Sequence, residues 1–330
     1  MSLGVSILLI LLLLVILLKA ADYVIVVLKK IAREAAVRTF TLAVVLVSLS
    51  TSLPEFFVGV NSSLSGVPVL SFGNVIGSSI ANLSLVLGVA FLGGTAYIKS
   101  DPRLNREFLV AFFAGILPFV FLLDRNLSRL EGVALVVFYI AYTLGLYHGR
   151  FFGDKEALRH SEGFWQELLS DLEKGKAVMI QNFGKFVGGV TVILVASHFL
   201  VQLIENLASS FNLPLFVVGL FFVSLGTVLP ELAIAYRSIE DHEPSLLVGN
   251  RLGAVITNSA LVLGVVAIIS PFSIVQRREY LLSVVTFVIL FALFWFFAKI
   301  RHKIGRLEAG ILLAIYVIFA LLEFSGFKLL

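Results

Sequence analysis

The sequence predicts an all-α polytopic membrane protein with about ten transmembrane helices in two inverted five-helix repeats. Three observations carry this. The 330 residues are 59% hydrophobic and only 14% charged, with a mean hydropathy of +1.03. A soluble globular chain is typically about 25% charged, so this one belongs in a bilayer. Two blocks recur, SLSTSLPE with GNVIGSSIANLSLVLG and SLGTVLPE with GNRLGAVITNSALVLG. Their offset is 231 minus 55, or 176, from Glu55 to Glu231, and it carries Gly73 to Gly249, Asn82 to Asn258 and Gly88 to Gly264 without a gap. Finally, the polar stretch 149–185 separates five apolar runs from five. Five is odd, so the second half enters the membrane from the opposite side, as an inverted repeat.

In chain order the expected spans are residues 3–28, 39–63, 69–97, 107–123, 130–148, 186–208, 214–238, 245–270, 280–298 and 308–324. Each lies near the ~20 residues needed to cross a hydrocarbon core. The first is read as a span and not a signal peptide, because it lacks a basic leading region and its apolar core is long. The expected division is an N-terminal repeat over 1–148, a cytoplasmic connector over 149–185 and a C-terminal repeat over 186–330. In the connector Asp154 can cap a helix with Leu158, Trp165, Leu168, Leu169 and Leu172 on one face, ended by Gly175. Such a helix is expected to lie on the membrane surface and tie the halves together.

The net charge of +4 does not indicate nucleic acid, because the basic residues sit in short loops between spans. Lys29, Lys30, Arg33 and Arg38 follow the first span; Lys99, Arg103 and Arg106 the third; Lys299, Arg301, Lys303 and Arg306 the ninth. Loops 64–68 and 209–213 carry no Lys or Arg. The positive-inside rule then places both termini outside and the connector in the cytoplasm, with the cell (plasma) membrane as the expected location. Arg125, Arg129, Arg277 and Arg278 fall on the outer side of this arrangement. The chain has no cysteine, which excludes disulfides, thiolate metal sites and cysteine nucleophiles. No cofactor is implied, and a monomer is compatible with everything the sequence shows about oligomeric state.

Each repeat sets a glutamate immediately after a proline inside an apolar span, where an ionisable group is expensive and points to function. Pro54 cannot donate to the Ser50 carbonyl, nor Pro230 to that of Gly226, so both helices are expected to be interrupted there. Thr51 and Glu55 are four apart and share a helix face, as do Thr227 and Glu231. Two carboxylates, two threonine oxygens and freed carbonyls make an all-oxygen set suited to a hard cation such as Ca²⁺ or Na⁺. Two glutamates match the charge of one Ca²⁺, and bare they would favour protonation of at least one, so a proton competes. Gly73 and Gly77, with Gly249 and Gly253, have a spacing that lets helices approach closely.

These blocks resemble the α-repeats of the cation/calcium antiporter superfamily, particularly the sodium/calcium exchangers, whose pattern is close to GTSLPE followed by GNxxGSNxxN. The resemblance covers residues 48–89 and 224–265 closely and the other spans in number and hydropathy. It implies Ca²⁺ exchanged for Na⁺ by alternating access at a mid-membrane site. Carried over by position, it implies Glu55 and Glu231 as principal ligands and Thr51 and Thr227 as flanking ones. Ser52, Ser78, Asn82 and Asn258 are then Na⁺-site or polar pocket residues.

This chain departs from the pattern in its second copy, where Val228 and Ala254 stand in place of hydroxyl residues. Both deep positions are Asn, and the GNxxE variant of proton/calcium exchangers is absent. Ca²⁺/H⁺ or other cation/H⁺ exchange is therefore the alternative, and a passive channel is a more remote one. An intramembrane hydrolase would need a metal-bound water or a paired acid. No HExxH motif or catalytic aspartate pair occurs in the spans, so the chain is not read as an enzyme.

Among other polar residues, Arg251 is expected to snorkel to the cytoplasm and pair with Glu240, Asp241 or Glu243, the sharper reading being an electrostatic gate. Asp22 and Lys19 are expected to pair locally, and His198 to be a hydrogen-bonded interior residue. The phenylalanines are expected to face lipid.

Overall fold

Backbone amides in a hydrocarbon core can be satisfied only within helices or closed barrels, and the apolar runs accordingly fold as helices. The computed structural model describes residues 3–34, 52–92, 96–97, 102–147, 176–211, 213–240, 244–274, 277–301 and 303–325. Among them the first half supplies α1 (Leu3–Glu34), α2 (Leu53–Leu64), α3 (Pro68–Ala81, continued through Asn82–Val86 to Leu87–Leu92), α4 (Pro102–Phe121) and α5 (Arg129–Tyr147). The second supplies α6 (Lys176–Ser210), α7 (Leu215–Val217, then Val218–Val223 and Ser224–Glu240), α8 (Pro244–Ile256, Thr257–Val262, Leu263–Ile269), α9 (Arg277–Trp295 and Phe296–Ile300) and α10 (Arg306–Ser325). Seven of these are long and apolar enough to cross a membrane. The chain is an integral, multi-pass membrane protein. The start of the second expected span, over 39–51, and the surface helix expected at 154–175 lie outside the described residues.

Two short ladders not anticipated from the sequence expose the symmetry. β1 (Ala96–Tyr97) pairs antiparallel with β4 (Lys303–Ile304), and β2 (Asn126–Leu127) pairs antiparallel with β3 (Phe272–Ser273). Phe272 lies 176 residues after Ala96, and Lys303 lies 177 after Asn126, so β1 corresponds to β3 and β2 to β4. Each ladder thus joins one loop to the partner of the other. The ladders sit at opposite ends of α4, whose 20 residues span about 30 Å. A pseudo-two-fold axis across the bundle produces this exchange, whereas a parallel duplication does not. The caps repeat as well. Glu131 accepts bonds from the Ser128 amide at 2.7 Å and hydroxyl at 2.8 Å at the start of α5, a capping box. Glu308, 177 residues on, accepts from the Gly305 amide at 2.9 Å at the start of α10.

Packing divides into two parts. Leu14, Leu17, Ala21 and Val24 of α1 meet Ile193, Ala196, Leu200 and Ile204 of α6 in a smaller core that also takes in Val58 of α2, Leu70 of α3, and Val218 and Val223 of α7. The larger core gathers α3, α4, α5 and α7 to α10. Their closest approach is where α3 crosses α7. A Cβ added at Gly73 would lie 2.1 Å from the Phe216 carbonyl oxygen, and one at Gly77 would lie 2.1 Å from that of Leu220. From the other side, a Cβ at Gly219 would lie 2.2 Å from the Leu70 carbonyl oxygen. Backbone meets backbone there, the close approach expected of Gly73 and Gly77, whereas a Cβ at Gly249 in the second copy would meet only Glu107 Oε2 at 3.5 Å.

Four expectations need correction. Phenylalanines do not chiefly face lipid: Phe72, Phe91, Phe108, Phe287, Phe294 and Phe319 are fully buried, and Phe72 stacks on Phe216 with ring centroids 5.5 Å apart. Aromatic rings fill the space between helices that small residues leave irregular. His198 bonds Gln202 at 3.1 Å but is exposed on α6, and Lys19 and Asp22 are exposed with no ion pair between them. Pro230 does not end its helix, because Ser224–Glu240 runs through it. One proline removes one rung, and the bonds on either side carry the helix past the gap.

Candidate functional site

The two carboxylates reach the centre of the bundle from symmetry-related places. Glu55 lies in the first turn of α2, where the exposed amide dipoles favour an anion. Its side chain is 0% exposed, and neither carboxylate oxygen has a hydrogen-bond partner among the described residues. Glu231, on α7, is 2% exposed. The two glutamates interact electrostatically with each other, and the charge of Arg251 acts on both.

Both amides lie at irregular turns of their helices. Asn82 opens the π-helical turn Asn82–Val86 of α3, and Asn258 lies in the π-helical turn Thr257–Val262 of α8. The turns occupy equivalent positions in the two repeats. A π turn adds a residue to the helical circumference and re-aims the side chains around it, a device common at functional sites.

Hydroxyl and amide oxygens link the repeats. Ser78 and Thr227 hydroxyls are 3.3 Å apart, and Thr227 also donates to the Ser224 carbonyl at 3.1 Å. Asn74 Oδ1 lies 3.5 Å from the same threonine hydroxyl. Of the residues proposed from the sequence, the structure therefore gathers Glu55, Glu231, Thr227, Ser78 and Asn82. Ser52 and Asn258 are buried beside them in sequence, with Ser52 Oγ and Asn258 Oδ1 unpartnered among the described residues. Thr51 lies outside the described residues. Val228 and Ala254 are buried too, so the missing hydroxyls are missing from the interior.

Arg251 is where sequence reasoning failed. It does not snorkel: its side chain is 0% exposed, and Nη1 lies 2.7 Å from Glu231 Oε2 and donates to Asn82 Oδ1 at 2.8 Å. The guanidinium binds the very carboxylate and amide proposed for an ion. Its direction could have been read from spacing, since Arg251, Ala254 and Asn258 fall on one helix face at i, i+3 and i+7. The same offset of 176 that matched the glutamates also matches Asn74 to Asn250, a pair the sequence reading passed over. Asn74 is fully buried, and Asn250 Oδ1 is buried without a partner among the described residues.

Chemically the site has two carboxylates, one guanidinium and a set of neutral oxygens. Among the described residues no group of three or more His, Asp or Glu side chains is assembled. The site's charged groups are few and its neutral oxygens many.

Comparisons with known proteins bear on the family and the fold. The family model described as sodium/calcium exchanger protein matches residues 5–148 and 182–324. The putative antiporter CaxA of Alkalimonas amylolytica is 29% identical over 311 residues, covering 93% of this chain and 94% of the relative. The sodium/calcium exchanger MaX1 of Methanosarcina acetivorans is 30% identical over 336 residues, covering 92% and 94%. The solved structure of the sodium-calcium exchanger NCX_Mj superposes with a TM-score of 0.59 at 23% identity, over 96% of this chain and 98% of that one, which establishes the shared fold. By family model, relatives and fold, the chain is a member of the sodium/calcium exchanger protein family.

Proposed function

We propose that the protein is a secondary antiporter that exchanges Ca²⁺ for Na⁺ by alternating access, with Glu55 and Glu231 as the principal ligands. Membership of an exchanger family makes it a transporter and not an enzyme. The observation that carries the ion reading is Glu55: a buried carboxylate with both oxygens unpartnered among the described residues, facing a second buried carboxylate from the other repeat. Thr51, Thr227, Ser52, Ser78, Asn82 and Asn258 supply the neutral oxygens in this reading. The packing of α1 on α6, outside the larger core, supports alternating access, because the pair can slide along the residues it meets on the other helices, Val58, Leu70, Val218 and Val223.

The test is ion flux in proteoliposomes with Na⁺ and pH gradients varied independently. An outward-directed Na⁺ gradient is expected to drive Ca²⁺ uptake, and a pH gradient alone is not. Uptake driven by the pH gradient alone would replace Na⁺ by H⁺ as the coupling ion, a reading favoured by the hydroxyls lost at Val228 and Ala254. Uptake without any counter-ion would make the protein a channel.

For orientation we propose that both termini face outward and that the 149–185 connector is cytoplasmic, in the cell membrane. Single cysteines introduced at Ser65 and Glu173 should react with an impermeant reagent from opposite sides. Labelling from one side only would overturn the proposed orientation of these loops.

A further inference from the structure

The second repeat departs from the first in three places that bear on the site. Val228 and Ala254 each remove an oxygen that copy one keeps at Ser52 and Ser78, and Arg251 adds a positive charge where copy one has Val75. Ala254 lies one turn along the same face of α8 as Arg251. The second repeat, then, loses two cation-binding oxygens and gains a fixed cation, and that cation lies on Glu231. The first repeat keeps both hydroxyls, with Ser78 lying 3.3 Å from Thr227 on the helix of Glu231, while Glu55 is buried with neither carboxylate oxygen partnered among the described residues.

We propose that the Arg251 guanidinium is a built-in cation of the transport site, holding Glu231 and Asn82 in place of one mobile monovalent ion and leaving Glu231 when a divalent cation binds. The proposal rests on the exchange reading above and specifies the ions that the site exchanges. With Arg251 in place, two carboxylates and one guanidinium leave one net negative charge. A single monovalent ion at Glu55 neutralises that site. A Ca²⁺ shared by Glu55 and Glu231 neutralises it only once the guanidinium has moved off. The two loaded states are therefore one Ca²⁺ without Arg251 and one monovalent ion with it, so a single Na⁺ on the return leg suffices.

The contacts fit a group that can leave. A guanidinium has five N–H donors. Only Nη1 is matched, to Glu231 and Asn82, whereas Nε and Nη2 have no partner among the described residues. An arginine whose role was only to brace the bundle would be bonded through its whole fork. Its hold depends on the one carboxylate that a divalent ion would claim.

The experiment compares the parent protein with Arg251→Gln and Arg251→Lys in proteoliposomes, reading Ca²⁺ affinity and the steepness of Na⁺ dependence, together with thermal stability in detergent with and without Ca²⁺ or Na⁺. The parent should show shallow Na⁺ dependence. Arg251→Gln should raise Ca²⁺ affinity by about tenfold or more, because a like charge beside the ion is removed. It should also steepen Na⁺ dependence, as a second Na⁺ takes the place at Glu231. Added Ca²⁺ or Na⁺ should raise its melting temperature more than the parent's, because the ion then neutralises Glu231. Arg251→Lys keeps the charge and is expected to fold even where Arg251→Gln does not; its single ammonium grips Glu231 less well, so Ca²⁺ affinity should rise by a few-fold. Unchanged or weakened Ca²⁺ affinity in the folded variants, with unchanged Na⁺ steepness, overturns the proposal and leaves Arg251 a structural brace. Absence of Ca²⁺ flux in parent and variants alike overturns the exchange reading instead. The inference about Arg251 is then decided by whether Na⁺ or Ca²⁺ stabilises the variants more than the parent.

Discussion

Glu55→Gln is expected to abolish Ca²⁺ transport and leave the fold intact. The side chain is fully buried with neither carboxylate oxygen in a well-formed hydrogen bond among the described residues, and its weak interaction with the Thr227 hydroxyl survives replacement of the carboxylate by a neutral group of the same shape. Its effect on the ion is large because Glu231 is already paired with Arg251. Without Glu55 the site has no net negative charge. A unit charge 4 Å from another is worth about 4 kcal/mol at an effective dielectric of 20, and twice that for a divalent ion, so flux should fall at least about a hundredfold. Flux and thermal unfolding should be measured on the same preparation. A folded variant that retains more than a tenth of parental Ca²⁺ flux would remove Glu55 from the central role.

Much of this was legible in the sequence because the bilayer leaves the backbone few choices. Apolar runs near 20 residues must be helices, and an odd number of them before a duplication must invert the second copy. The carboxylates were legible for the same reason, since Glu55 and Glu231 each follow a proline within an apolar span. What escaped depends on direction, which residue type does not settle. An arginine seven residues from Pro244 can turn toward water or toward the bundle, and composition alone favours water. It turned inward because Glu231 and Asn82 await it there, and both come from other helices. The π turns at Asn82 and Thr257 were hidden similarly: nothing in NLSLV or TNSALV marks an extra residue per turn, and packing between repeats selects it. The ladders pair residues about 200 and 150 apart in the chain, beyond any local signal.

The same substitution at the equivalent position of the other repeat should behave differently. Glu231→Gln removes the anion that holds Arg251, whose side chain is fully buried and whose Nε and Nη2 have no other partner among the described residues. Removing one member of a buried ion pair is destabilising by about 3–5 kcal/mol, because the remaining charge stays uncompensated. Gln can still accept a hydrogen bond, which places the expected loss toward the lower end of that range. Glu231→Gln should therefore lower thermal stability clearly, where Glu55→Gln does not. The double variant Glu231→Gln with Arg251→Gln removes both charges and should recover most of the loss, as neutral replacements of buried pairs do. Unfolding of the parent, both single variants and the double variant in one detergent completes a cycle that isolates the pair. Additive losses, with no recovery in the double variant, would mean that Arg251 is not held by Glu231, and the guanidinium would lose its part in the site. Recovery of stability with Ca²⁺ flux still absent would separate the two roles of Glu231: it anchors a fixed cation in one state of the protein and binds the mobile one in the other.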